Sequence, residues 1–182
     1  MEIAMEKIGK MPGLTPEELA RQKEKEYGTV GEAIATRYLD GSIREADISF
    51  ELGKHHGDEA RIVKRAFMLR LCQSIDPVNI ARSRRALDGI CRLAGTNPCL
   101  EQMKQEWETI FHEFGEAIEK RYAPFETMEK KRLRRLGISG SAVRPNVKES
   151  EDWRQELEKI RHSYDSPTDE LRKRTMRCTA TE

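Results

Sequence analysis

Two stretches of this chain set a histidine between glutamates at steps of four. ELGKHHGDE carries Glu51, His55 and Glu59, and ETIFHEFGE carries Glu108, His112 and Glu116. On a helix, side chains four apart share one face, with Cβ atoms about 5–6 Å apart. Two such faces turned toward each other inside a bundle would offer carboxylate and imidazole ligands to a di-metal centre. That chemistry ordinarily uses Glu-x-x-His at three-residue spacing, and the chain contains no such tetrapeptide. Phase also argues against it. Trp107, Ile110, Phe111 and Phe114 set the buried side of a helix over 98–122, and His112 falls roughly 150° from the centre of that stripe. Glu116 goes with His112, and Glu108 sits on the flank. Glu158 likewise precedes His162 by four. Solvated Glu–His pairs are therefore the preferred reading. A metal is kept only for His55, His56, Asp58 and Glu59, which a loop between Gly53 and Gly57 could gather.

The cysteines offer a second chemistry. Cys72, Cys91, Cys99 and Cys178 show no C-x-x-C spacing, so no zinc ligand set is indicated. Cys99 falls in a first helical turn after Pro98, where a thiol pKa can be lowered. Cys91 lies on an apolar helix face. Reduced thiols, mostly buried as small hydrophobes, are expected. P-loop, dinucleotide-binding, zincin and nucleophile-elbow motifs are absent, and His112-Glu-Phe-Gly-Glu116 has glutamate where a zincin needs its second histidine. The chemistry thus leans away from an enzyme, and no cofactor is implied.

Charge points to binding instead. The 182 residues are 36% charged, 37% hydrophobic and 6% aromatic, with a net charge of +1. A strongly basic nucleic-acid binder is not indicated globally. Locally, residues 61–95 hold eight cations, among them Arg82, Arg85 and Arg92 on one helix, against Asp76 and Asp88. Lys130, Lys131, Arg132, Arg134 and Arg135 crowd six positions. Such patches fit acidic protein surfaces or phosphate backbones. The plainer reading pairs them with the Glu-rich helices 15–27 and 98–122.

Helix punctuation supplies the scaffold. Thr15-Pro-Glu-Glu18 is a capping box with proline at the first helical position. Thr29-Val-Gly-Glu32 and Ser42-Ile-Arg-Glu45 read as two more, with Gly28 and Gly41 as stops. The helix after Ser42 carries apolar residues on both faces, Phe50 included, and is expected to be well buried. A break is placed over Gly53–Gly57, with Asp58 capping the next helix; one continuous helix is the alternative. Ile62, Val63, Ala66, Phe67 and Leu71 repeat at helical spacing. Asp76-Pro77 opens another helix, stopped by Gly95. Asn97-Pro98 opens the clearest, with Leu100, Met103, Trp107, Ile110, Phe111, Phe114, Ala117 and Ile118 in one stripe up to Ala123-Pro124. Residues 137–147 are Gly/Ser-rich and aperiodic. Ser150 caps a short helix with Trp153, Leu157, Ile160 and Tyr164 inward. No stretch has the alternation of a strand.

The expected fold is all-α: an irregular bundle of about six helices with a C-terminal extended arm and short helix. Its parts are an extension over 1–14, a bundle over 15–123, a basic segment and linker over 124–149, a short amphipathic helix over 150–165 and a polar tail over 166–182. The expected function is a non-enzymatic protein–protein interaction module or small assembly subunit. Its partner is another protein or a second copy, met through Arg82, Arg85, Arg92, the 130–135 cations and Trp153. Trp153 serves either an arm that docks elsewhere or a tether that folds back on the bundle. A nucleic-acid-associated protein using 61–95 and 130–135 is the first alternative. A metal or thiol enzyme using His55, His56 or Cys99 is the second. With neither a secretory leader nor a span of about 20 apolar residues, a cytoplasmic protein without membrane partners is expected.

Overall fold

A computed structural model describes residues 15–95, 97–138, 140 and 144–179. The expected N-terminal extension lies outside them, as do Ser139 and residues 141–143 of the expected linker. The fold is all-α, with six α-helices and no strand among the described residues. They are α1 (Pro16–Leu39), α2 (Ile48–Leu52), α3 (Gly57–Gln73), α4 (Ile80–Ala94), α5 (Pro98–Arg135) and α6 (Glu151–Thr179). No helix among these residues is long and apolar enough to cross a membrane. The helices fall into two compact units that divide inside α3, one ending at Arg70 and the other beginning at Leu71.

In the first unit, the Thr15 box forms as expected. Thr15 Oγ1 accepts from the Glu18 amide at 3.2 Å, and the Glu18 carboxylate accepts from the Thr15 amide at 2.7 Å. Those bonds hold the Glu18 carboxyl below its usual pKa. The second box does not form. Thr29 lies inside α1, and its hydroxyl donates to the Lys25 carbonyl at 2.8 Å. A helical glycine costs about 1 kcal/mol relative to alanine, which Gly28 does not recover by ending the helix. Continuing α1 instead buries Gly31, Ile34, Ala35, Tyr38 and Leu39. Close packing explains Gly31: a Cβ there would overlap the Val63 carbonyl oxygen and stand 2.9 Å from Ala66 Cβ. Beside it, Tyr38 packs on Phe67 with ring centroids 6.2 Å apart.

The third box is also missing. Arg44 pairs with Asp47 at 2.8 Å, a 3-10 turn spans Glu45–Asp47, and α2 is only five residues long. Ile43 and Ile48 are buried, but Phe50 is 70% exposed, against the expected burial. The break after α2 is real, with Gly57 at φ +57°. Asp58 sits within the first turn of α3, ion-paired to Arg61, rather than capping it.

In the second unit, α4 begins at Ile80 behind Asn79, whose side chain accepts from the Arg82 amide at 3.2 Å. The Asp76-Pro77 start moves by one turn because Asp76 serves the loop. Its carboxylate accepts from the Val78 amide at 2.7 Å, and its backbone bonds the buried Ser83 hydroxyl twice, each at 2.7 Å. Gly95 ends α4 at φ +73°. Asn97 caps α5 through the Cys99 amide at 2.9 Å. Leu100, Met103, Trp107, Phe111 and Phe114 are buried along α5.

Two expected boundaries disappear. α5 runs through Pro124 to Arg135, and α6 runs through Pro167 to Thr179, so residues 166–179 of the expected polar tail are helix. α5 and α6 form an antiparallel hairpin. Trp153 meets Tyr122 and Phe125 at centroid distances of 5.0 and 5.5 Å. Tyr164 meets Phe114 at 5.3 Å, Thr175 meets Trp107, and Cys178 meets Cys99. Partners advance along α5 as they recede along α6. Thr168, Leu171, Thr175 and Cys178, at steps of three and four, form the buried edge of the unexpected part of α6.

Candidate functional site

The two Glu-x3-His-x3-Glu stretches are occupied by other partners. Glu51 pairs with Lys54 at 2.9 Å and reaches Arg37 at 3.9 Å. His55 stands edge-on to Tyr27, and the Tyr27 hydroxyl is hydrogen-bonded to Glu59, which raises its pKa. His56 is exposed, and Asp58 is held by Arg61. In the second stretch, Arg84 grips both oxygens of Glu108 at 2.7–3.2 Å, which lowers the Glu108 pKa. His112 points outward, 74% exposed, and pairs with Glu116 at 3.3 Å. Among the described residues, no three His, Cys, Asp or Glu side chains could hold a metal ion.

The thiols are not as expected. Cys99 and Cys178 are joined in a disulfide, which corrects the reading of four reduced cysteines and of Cys99 as a free nucleophile. Cys72 and Cys91 are free. Burial pushes the Cys72 thiol up to about 12 and also raises Cys91, opposite to what a nucleophile at neutral pH needs.

Two of the 61–95 cations pair with the Glu-rich helices, and a third pairs locally. Arg65 pairs with Glu24 of α1, Arg84 with Glu108 of α5, and Arg61 with Asp58. Arg82, Arg85 and Arg92 each have an interaction of their own. Trp153 is 5% exposed and enclosed by Tyr122 and Phe125. It packs the start of α6 against α5.

The 130–135 cations differ. α5 continues past Phe125, which meets Trp153 of α6, by about 15 Å at roughly 1.5 Å per residue. On this extension Lys130 is neutralised by Glu126 at 2.7 Å and Arg132 by Glu129 at 2.6 Å. The Arg132 hydrogen bond keeps the Glu129 pKa low. Lys131, Arg134 and Arg135 are exposed and have no carboxylate within ion-pair distance among the described residues. Beside them Met128 is 68%, Leu136 63% and Ile138 48% exposed. A groove of about 690 Å³ runs between this face and the segment Asn146–Asp152, with Phe125, Met128, Lys131 and Arg135 among its lining residues. Sequence reading found the cations but not their apolar neighbours. Met128 belongs to a helical face, with Leu136 capping it, only once α5 is allowed to pass Pro124.

No family model matches the chain, and no curated protein or solved structure does either.

Proposed function

We propose that this chain is a non-enzymatic interaction module, an adaptor or small assembly subunit that takes an acidic, partly apolar segment of another protein at the end of α5. One observation carries the reading: Lys131, Arg134 and Arg135, with no carboxylate in ion-pair distance among the described residues, adjoin exposed Met128, Leu136 and Ile138. The carbonyl end of a helix offsets about half a charge. The five cations and two glutamates of residues 126–135 leave +3 there, more than the helix end absorbs. Nucleic acid is the second reading, and the same charge supports it. It fits less well, because phosphates have no use for the three apolar side chains.

The test is a fluorescence-anisotropy titration of the full chain. One probe is a synthetic helical peptide with glutamates on one face and leucines on the other; the second is a short DNA duplex. Peptide binding should weaken with added salt, since exposed charges are screened over about 8 Å at physiological ionic strength. Lys131→Glu/Arg134→Glu/Arg135→Glu and Met128→Ser/Leu136→Ser should each weaken it further. Tighter duplex binding that ignores the Met128→Ser/Leu136→Ser change supports the second reading. Binding of neither probe removes both.

A further inference from the structure

The Cys99–Cys178 disulfide joins residues 79 positions apart, with Cα atoms 5.9 Å from each other. Cys99 is in the first turn of α5 and Cys178 in the last turn of α6, so the bond closes the end of the hairpin opposite its connecting segment. Just inside it, Asn97 Nδ2 donates to the Cys178 carbonyl at 3.2 Å, and Trp107 Nε1 donates to Thr175 Oγ1 at 3.1 Å. The last turns of α6 thus complete the cover over Trp107, the largest fully buried side chain of the chain.

The two cysteines differ in access. Cys99 is exposed, whereas Cys178 is only 8% exposed. An incoming thiolate must reach the sulfur it attacks, so exchange is directed by access as well as by thiol acidity. The free cysteines do not compete equally, since Cys72 is buried and Cys91 half-buried.

We propose that this disulfide is a reversible exchange site, opened at Cys99 by a small external thiol of the glutathione class, and that opening it releases the last turns of α6 from α5. In the first step the external sulfur bonds to Cys99 Sγ, the Cys99–Cys178 bond breaks, and Cys178 leaves as a thiolate that takes a proton from water. In the second, another external thiolate attacks the external sulfur of the mixed disulfide. Cys99 departs as a thiolate, and the two external thiols leave as their own disulfide. Two electrons pass from those thiols to the protein bond. This inference does not rest on the docking surface, which lies at the other end of the hairpin.

The experiment uses the full chain, purified without reductant. Reduced glutathione is added, the mixture is quenched and alkylated, and peptides are mapped by mass spectrometry. The glutathione adduct should fall on Cys99 over Cys178 by about tenfold or more, as access-limited exchange requires. Amide exchange over residues 171–179 should quicken after full reduction while α4 is unchanged. Cys99→Ser/Cys178→Ser should show the same quickened exchange without any thiol, which separates a missing latch from a failed attack. An adduct mainly on Cys178 overturns the proposal. So does full alkylation of all four cysteines before any thiol is added, or protection over 171–179 that survives both reduction and the double substitution.

Discussion

Replacing Trp107 with alanine empties the centre of the α5–α6 hairpin. The indole is fully buried and stacked on Phe111 at a centroid distance of 5.8 Å. Withdrawing roughly 200 Å² of such a side chain from water contributes about 5 kcal/mol at ~25 cal/mol per Å². Core Trp-to-Ala changes cost about 3–5 kcal/mol, and we expect a loss in that range. The hydrogen bond adds little to it. Thr175 Oγ1 still donates to the Leu171 carbonyl at 2.8 Å when the indole is gone, so its hydroxyl is not stranded. The reverse change is informative. Thr175→Val keeps the shape but leaves Trp107 Nε1 buried without an acceptor, at a cost of about 1–3 kcal/mol. Trp107→Phe/Thr175→Val should then cost less than the two single changes together, because neither polar partner remains. Urea unfolding followed by far-ultraviolet circular dichroism measures all four proteins. A Trp107→Ala loss below about 1 kcal/mol, the size of an ordinary surface change or little more, would refute this account of the core.

Gly31→Ala should destabilise the first unit by about 1–3 kcal/mol through overpacking, because its Cβ would meet the Val63 carbonyl and Ala66. Gly28→Ala, on the same helix with nothing within 4 Å of a new Cβ, should instead stabilise by about 1 kcal/mol; thermal melts of both separate packing from propensity. Glu106 and Glu108 have lowered pKa values, chiefly from hydrogen bonds with Arg174 and Arg84. Their stabilisation is full above the ordinary carboxylate pKa of about 4.3 and lost as pH falls through the lowered folded values. Acid titration of Glu106→Gln/Glu108→Gln should therefore show a shallower fall in stability over that window. Ending the chain after Gly140 should lower the melting temperature and promote self-association, since it uncovers Trp107 and Phe114. Unchanged melting on truncation would mean that α6 does not cover α5.

What could be read from the residues was local and periodic. The Thr15 box, the Gly53–Gly57 break, the Gly95 stop, the Asn97-Pro98 start and the stripe from Leu100 to Phe114 each rest on a few neighbouring side chains. What was missed depends on distant partners. Gly28-Thr29 looks like a boundary until Gly31 is seen against α3. Pro124 looks like a stop and Ser166-Pro167 like the start of a separate turn, because an interior proline removes a donor and crowds the preceding turn at about 3 kcal/mol. Packing on the facing helix can outweigh that, and α6 keeps its register on both sides of Pro167. Its later half hid for another reason: Thr168, Thr175 and Cys178 occupy buried positions where apolar residues were sought. Thr175 is intelligible only from Trp107, 68 positions away. The Cys99–Cys178 pairing likewise needed α6 to reach Thr179. For the site, the cations of 130–135 were visible, but which were spent on Glu126 and Glu129 was not.

The docking claim is most directly tested by watching backbone amides of the full, isotopically labelled chain by nuclear magnetic resonance as the acidic amphipathic peptide is titrated in. The account predicts shifts concentrated between Phe125 and Ile138, abolished by Lys131→Glu/Arg134→Glu/Arg135→Glu in a protein that keeps its spectrum elsewhere. Shifts centred instead on Arg61–Arg92, or a response to duplex DNA alone, would contradict it.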